Sequence, residues 1–391
     1  QTLQGNGLFR VDGGDGDNSG GAGGGGRIVV RYETGLQAEL PVPTLRFSAF
    51  AYAENMPREA EMGTLYLPNR QWFTESLAGQ RFWHVRPVVP DLGQWVPASL
   101  TLDNCVLSLP PGFNLNIPGD VVLRNNARLY LKAAFTNDPV VGYGEYLRVG
   151  GDLRMEANSW VYPYTNPTNG AIVRLRVAGH VSIDETSGIN ADSKGYFPQA
   201  GNNNGPGAGQ SQYSGGGYGG VGGGTSPGAV YGEKALPMEP GSPAGDRSLY
   251  AGQGGGAIQL ISGGNVILDG TLTANGQHSP GGSGAGGSGG SIFVSGIRVQ
   301  GSGSLQANGG SPSGTTSGAG GGGRIALWSG MPLDLVEARL ASGSFRGLIP
   351  VLATDLFLGD VSVAAGSGGS PGEAGTAKFY HARMGILFLV R

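Results

Sequence analysis

The chain has 391 residues, 77 of them glycine, with 14% charged residues and a formal net charge of -3. The glycine follows no three-residue period, which excludes collagen, and a hydrophobic fraction of 39% is too high for a disordered chain. The weak negative charge leaves no basic stripe of the kind that nucleic acid requires.

From the start, residues 4–14 line up with 300–310 and residues 21–28 with 318–325, so the chain opens part-way through a repeat unit. Residues 1–35 are read as an amino-terminal rung copied from 297–330. Between residues 36 and 100 the glycine tracts stop while Pro, Trp and Phe rise, which marks an irregular β segment or insertion. Within it Gly63-Thr64-Leu65-Tyr66-Leu67 resembles the later Gly375-Thr376-Ala377-Lys378-Phe379-Tyr380, so front and back read as two copies of one longer module. Residues 101–184 alternate apolar and polar in short bursts, such as Phe113/Leu115/Ile117 and Val173/Leu175/Val177, which predicts half-buried strands. No apolar period of 3.6 persists for 10 residues or more, so helix is expected to be scarce.

Residues 195–253 form a long Gly/Asn/Ser/Tyr/Pro stretch that reads as one enlarged rung loop inside a main body spanning 101–330. The clearest repeat follows: Ala274 and Ala307 stand 33 residues apart, as do Ile292 and Ile325. Each rung offers three short strands, Val266/Leu268, Leu272/Ala274 and Ile292/Val294, then Ile297/Val299, Leu305/Ala307 and Ile325/Leu327 in the next. Stacking like on like buries each apolar pair and lets every backbone group pair with the adjacent rung. The predicted fold is all-β, a parallel β-helix with long Gly-rich loops. Residues 331–391 close it with further rungs and an apolar terminal strand containing Ile386, Phe388 and Val390. Small Ala191, Ala274 and Ala307 suit a crowded interior, and Asp192, Asn275 and Asn308 after them tolerate left-handed backbone and satisfy turn amides with their side chains, which predicts a corner ladder. The glycine tracts admit two readings, flexible loops or extended threads packed in a polyproline-II-like form.

Sequence chemistry is sparse. Asp12, Asp15 and Asp17 have the alternation of a calcium loop, but the other copies carry Asn308 and Ser311 there and no liganding Glu follows, so a polar turn is the favoured reading and no cofactor is expected. Single Cys105 excludes an intrachain disulfide and reads as a small strand residue. Trp72, Arg81, Trp83, His84 and Trp95 form an aromatic and basic cluster that reads as a sugar-binding surface or as a small core. No apolar run approaches the about 20 residues of a membrane span. The first residue is Gln1 rather than Met, as expected of a mature or excised piece.

The combination of Ile-x-Ala-(Asp/Asn), a long loop with Pro206-Gly207, Tyr218-Gly219 and Tyr231-Gly232, and Gly-Gly-Ser-Ile and Gly-Gly-Gly-Arg-Ile before the return strands resembles the Gly-rich β-helix repeats of very large secreted and cell-surface proteins of bacteria. The resemblance implies an extracellular scaffold, fibre or adhesin and brings no catalytic residues. The expected function is structural and non-catalytic, as a subunit or segment of a surface fibre or adhesin, with copies stacking head to tail through Leu3, Phe9, Val11, Ile28 and Val30 at one end and Phe379, Ile386, Phe388 and Val390 at the other; a plainer version is one fragment of a long tandem protein. The rival reading is a polysaccharide-binding or polysaccharide-degrading β-helix.

Overall fold

Short alternating strands leave one face of every strand apolar, and the chain satisfies them by winding. A computed structural model describes residues 1–15, 22–51, 60–134, 145–198, 204–245, 250–345, 347–353 and 356–382. The strands fall into stacked sheets whose neighbours in space are one turn apart in sequence. On the first face lie Ser76–Ala78, Leu100–Asp103, Val121–Arg124, Leu153–Met155, Val181–Ile183, Asn265–Leu268 and Arg298–Gln300. The second face runs from Arg27–Val29 through Gly63–Tyr66 and seven further strands to Asp360–Ser362, and the third from Leu115–Ile117 to Thr376–Ala382. Pairing along these stacks is parallel, and the inward Leu, Val and Ile side chains form one core continuous from Ile28 to Phe379. The fold is a parallel β-helix.

The predicted like-on-like register holds: Leu272 stands on Leu305, Ile292 on Ile325 and Val294 on Leu327. So does the reading of the long loop, since Ile183 pairs with Leu268 and Ile189 with Leu272 across it. Ala191, Ala274 and Ala307 are fully buried. The Asp/Asn corner is the expected ladder, built by the side chains without use of left-handed backbone. None of the three residues has positive φ. Instead the Asn275 N–H donates to Asp192 Oδ1 (2.6 Å), the Asn308 N–H to Asn275 Oδ1 (2.8 Å) and the Ala364 N–H to Asn308 Oδ1 (2.8 Å). Each side chain thus takes an amide that the sheet leaves unpaired at the bend. Left-handed non-glycine backbone is found instead at Asn104, Asn125, Asn126, Ala157 and Asn158, between the first and second faces.

The glycine tracts are threads. Successive amides of one tract leave in different directions: Gly286 to Gly318 O (3.0 Å), Gly287 to Gln277 O (3.1 Å), Ser288 to Ser242 O (3.0 Å), then Gly289 to Gly321 O (2.9 Å) and Gly290 to Ala274 O (2.7 Å). Every third residue returns to the same neighbour. The tract 318–323 repeats the pattern, with Gly318 and Gly321 donating to Tyr213 and Gly216, Ala319 and Gly322 to Ser370 and Glu373, and Gly320 and Gly323 to Gly310 and Ala307. A period of three is that of the polyproline-II helix, whose peptide groups point outward and bond only between chains. The loop 204–245 belongs to the same bundle, which explains how so long a stretch outside helix and strand is buried.

Residues 36–100 contribute rungs to the same stack, with Gly63–Tyr66 and Val85–Val88 on the second face and a short sheet of Leu8–Arg10, Arg46–Ser48 and Phe82–Trp83 beside it. Here the chain runs from the second face through the helix Thr34–Ala38 or the 3-10 turns Arg70–Trp72 and Leu92–Gln94 rather than through a third-face strand. One helix was not foreseen. Leu333–Ser342 occupies the stretch where the strand pattern loosens; Val336 on it is buried and Leu333 and Leu340 are half-buried against the same outer cluster, a stripe of three residues over two turns that is too short to stand out in the sequence. Its signals are terminal: Pro332 before it, Asp334 in the first turn, Arg339 in the last, and Gly343 left-handed at φ 62° behind it.

Candidate functional site

Both ends of the stack carry strands with one unpaired edge. In a parallel ladder alternate residues direct their peptide groups to opposite neighbours. In Leu8–Arg10 the groups of Phe9 face the next rung, whose Arg46 and Ser48 flank them, and those of Leu8 and Arg10 face outward. In Arg27–Val29 the same alternation turns Arg27 and Val29 outward. Among the described residues nothing pairs with those outward groups. Side chains agree: Leu8 is 48% exposed, Phe9 40% and Val29 61%, while Phe9 rests one ring face on Phe47 at 5.5 Å. Val11 is also exposed, whereas Ile28 and Val30 are buried. Leu3 is held by the buried Gln37, whose Oε1 accepts the Leu3 N–H (2.6 Å) and whose Nε2 donates to the Leu3 carbonyl (3.0 Å).

At the opposite end, Asp360–Ser362 is the last strand of the second face and Thr376–Ala382 the last parallel strand of the third. An antiparallel strand, Leu348–Pro350, covers Tyr380, His381 and Ala382, and the Val351 N–H donates to the Phe379 carbonyl (3.0 Å). Among the described residues nothing covers 376–378. Phe379 is therefore interior, 9% exposed, because its ring completes the core; the half-buried inward residues at this end are Val361, Val363 and Ala377. Ile386, Phe388 and Val390 lie outside the described residues. Sequence reading passed over Val361 and Ala377, although the front-to-back repeat equates them with Phe47 and Leu65.

The two ends are copies bond for bond. Val11 donates to Ser48 O and Ala307 to Ser362 O (both 2.9 Å); Gly26 to Val11 O (2.8 Å) and Gly323 to Ala307 O (2.7 Å); Gly25 to Glu61 O (3.0 Å) and Gly322 to Glu373 O (2.9 Å). Asp12 Oδ1 accepts from Ser48 Oγ (2.5 Å) and the Phe50 N–H (2.8 Å), as Asn308 Oδ1 does from Ser362 Oγ (2.6 Å) and the Ala364 N–H (2.8 Å). The front copy, however, uses the short sheet and the second face, while the back copy uses the second and third.

This fixes the role of Asp12 as a corner residue. Burial pushes its carboxyl up, but the bonds from Ser48, Phe50 and Arg10 outweigh that and hold it below the usual carboxylate range. Asp15 is exposed and Asp17 lies outside the described residues. Among the described residues no three His, Cys, Asp or Glu side chains converge as metal ligands, and no helix is long and apolar enough to cross a membrane.

The aromatic cluster of residues 72–95 is core. Trp72 is fully buried, donates through Nε1 to Tyr32 Oη (2.9 Å) and packs edge-on against Phe47; Trp95 is buried edge-on against Phe73. Arg81 is partly buried and bonds the Trp72 carbonyl (3.2 Å), and Trp83 is partly buried against His84. These rungs lack a third-face strand, and large rings fill the space that Leu and Val fill elsewhere. On the second face, mid-stack, the buried Tyr130 stacks on Tyr162 at 4.5 Å, and Trp160 lies over Gly188. Cys105 is buried at a corner, its Sγ 3.3 Å from the Phe82 carbonyl, and burial pushes its thiol up to about 12.

His84 is buried in left-handed backbone (φ 52°), edge-on to Phe50 at 4.5 Å. Desolvation, with Arg128 adding repulsion against the partial pull of Asp12, lowers it from 6.5 to about 4. The folded chain then refuses a proton that the unfolded chain accepts, so stability falls as pH drops from about 6.5 to about 4, by up to about 3 kcal/mol. Urea unfolding at pH 7 and pH 4.5 checks it: His84→Asn, which tolerates the left-handed backbone, is expected to lose most of that difference.

Comparison with protein-family models, curated proteins and solved structures finds no match to this chain.

Proposed function

We propose that this protein is a non-catalytic, extracellular structural solenoid whose copies stack head to tail into a fibre. The observation that carries the reading is the pair of unpaired edges: outward peptide groups at Leu8, Arg10, Arg27 and Val29 on one end, and strands 360–362 and 376–378 uncovered on the other. Such edges recruit further strands unless something blocks them; the front strands carry Arg10 and Arg27, and at the back the proline-bearing strand Leu348–Pro350 covers residues 380–382, but among the described residues nothing lies over strands 8–10, 27–29 and 360–362 or over residues 376–378. A contact between two different surfaces of one molecule propagates as an open filament. The extracellular setting follows the resemblance of the Gly-rich rungs to repeats of large bacterial surface proteins.

Val29→Pro tests it. Among the described residues the Val29 N–H has no partner, so proline there removes only an outward donor and the monomer is expected to keep its stability within about 1 kcal/mol. Negative-stain electron microscopy and sedimentation are expected to show filaments of the native chain and monomers of Val29→Pro. A native chain that stays monomeric at every concentration, or a variant that assembles as well as the native chain, would overturn the reading.

A further inference from the structure

Resting on head-to-tail stacking, we infer that the joint between copies reproduces the register found inside each copy, and that each copy is turned about the long axis by one face relative to the last. Strands 8–10 and 360–362 are equivalent members of the repeated module, as are 27–29 and the first residues of 376–382. Inside the chain, the strand after 8–10 is 46–48, with Phe9 opposite Phe47; the strand after 304–306 is 360–362, with Leu305 opposite Val361. Each step of the module sets an inward apolar residue over its equivalent.

Continuing by one step sets Phe9 of the next copy over Val361 and Ile28 over Ala377. The peptide groups then match. Arg46 and Ser48 use their amides and carbonyls toward the first rung, and by the same alternation Asp360 and Ser362 use theirs inward, which turns those of Val361 outward. The Val361 N–H meets the outward Leu8 carbonyl, and the Arg10 N–H meets the Val361 carbonyl. On the adjoining face Ala377 does the same between Arg27 and Val29. Half-exposed Phe9 and the partly buried Val361, Val363 and Ala377 cover one another.

The turn follows from the slip between the copies. Strand 360–362 lies on the second face and must receive 8–10 from the short sheet; 376–378 lies on the third face and must receive 27–29 from the second. Successive subunits are therefore related by a screw rotation rather than by translation alone.

The test is a cysteine pair in the full chain. Adjacent strands stand about 4.8 Å apart, within the span of a disulfide, and the one native cysteine, Cys105, is buried. Arg10→Cys with Ser362→Cys joins residues opposite each other across the joint, and mild oxidation is expected to give a ladder of covalent multimers. Arg10→Cys with Lys378→Cys, on different faces of the joint, is expected to give none. Assembly without cross-linking of the first pair, or cross-linking of both pairs alike, overturns the register while leaving stacking intact. Absence of any assembly by sedimentation overturns both. Helical reconstruction showing subunits related by pure translation overturns the rotation.

Discussion

Gly321→Ala is expected to destabilise the fold by about 3 kcal/mol or more, an unusual cost for one methyl group. A Cβ at residue 321 would stand 2.2 Å from the Gly220 carbonyl oxygen and 2.7 Å from its carbon, both backbone atoms of a neighbouring thread. A side chain in the way can swing aside; a thread bonded to other threads on several sides cannot. Gly286 and Gly320 are equally tight, with carbonyl oxygens 1.9 Å from the added carbon. The control is Gly93→Ala, where nothing lies within 4 Å and the change is expected to stay within about 0.5 kcal/mol. Urea unfolding of both variants checks the magnitude. Hydrogen exchange checks the mechanism, since amides of 285–290 and 318–323 should exchange slowly in the native chain and faster in Gly321→Ala. Fast exchange throughout these tracts in the native protein would show that the threads are not ordered.

The second large effect is expected at Arg324. It points outward from the third face yet is 2% exposed, because the Gly-rich loop folds over it. Its guanidinium donates to the Tyr231 carbonyl (3.0 and 2.7 Å), the Tyr218 carbonyl (3.4 Å) and Thr376 Oγ1 (3.0 Å), and lies over the Tyr218 ring at 5.3 Å. One side chain thus ties the loop to two adjacent rungs. Arg324→Met fills similar volume but strands the Tyr231 carbonyl, at about 1–3 kcal/mol, while the Tyr218 carbonyl keeps the Tyr231 N–H; with the bond to Thr376 and the contact with the Tyr218 ring also lost, a total of about 2–4 kcal/mol is expected. Arg324→Lys keeps the charge without the planar fork and is expected to recover less than half of it. Limited proteolysis should then cut within 204–245 while the strand stack persists. If Arg324→Met unfolds the loop and the stack together, the two layers form one cooperative unit.

Much of this molecule was legible before any coordinates. The 33-residue repeat, the inward Leu272, Leu305, Ile292 and Ile325, and the equivalence of front and back follow from period-2 alternation and internal copying, which are local properties of a chain. Three of the five tryptophans show where that ends. Trp72 and Trp95 are interior and Trp160 faces outward, yet each is an aromatic residue among polar and apolar neighbours. Which of them is covered depends on what the distant parts of the chain lay over that position: Trp328 points outward from a third-face strand and is still fully buried, because the Gly-rich loop and the helix Leu333–Ser342 fold over it. The corner ladder divides the same way: that Asp192, Asn275 and Asn308 can satisfy turn amides with their side chains is a property of the residue type, whereas left-handed backbone goes unused there because the next rung delivers an amide to each oxygen.

The end surfaces divide along the same line. Phe9 and Ile28 stand at an edge by virtue of repeat position, which the sequence displays, whereas Phe379 left the edge because Leu348–Pro350 folded back beside it. The glycine tracts divide most sharply. Composition determined by itself that no side chain stands in the way of close packing there, and so allowed both a loose loop and a tight thread. Only the tertiary structure decided between them, because a polyproline-II-like thread has no hydrogen bonds of its own and exists as an ordered element only when neighbouring threads are at hand to supply them.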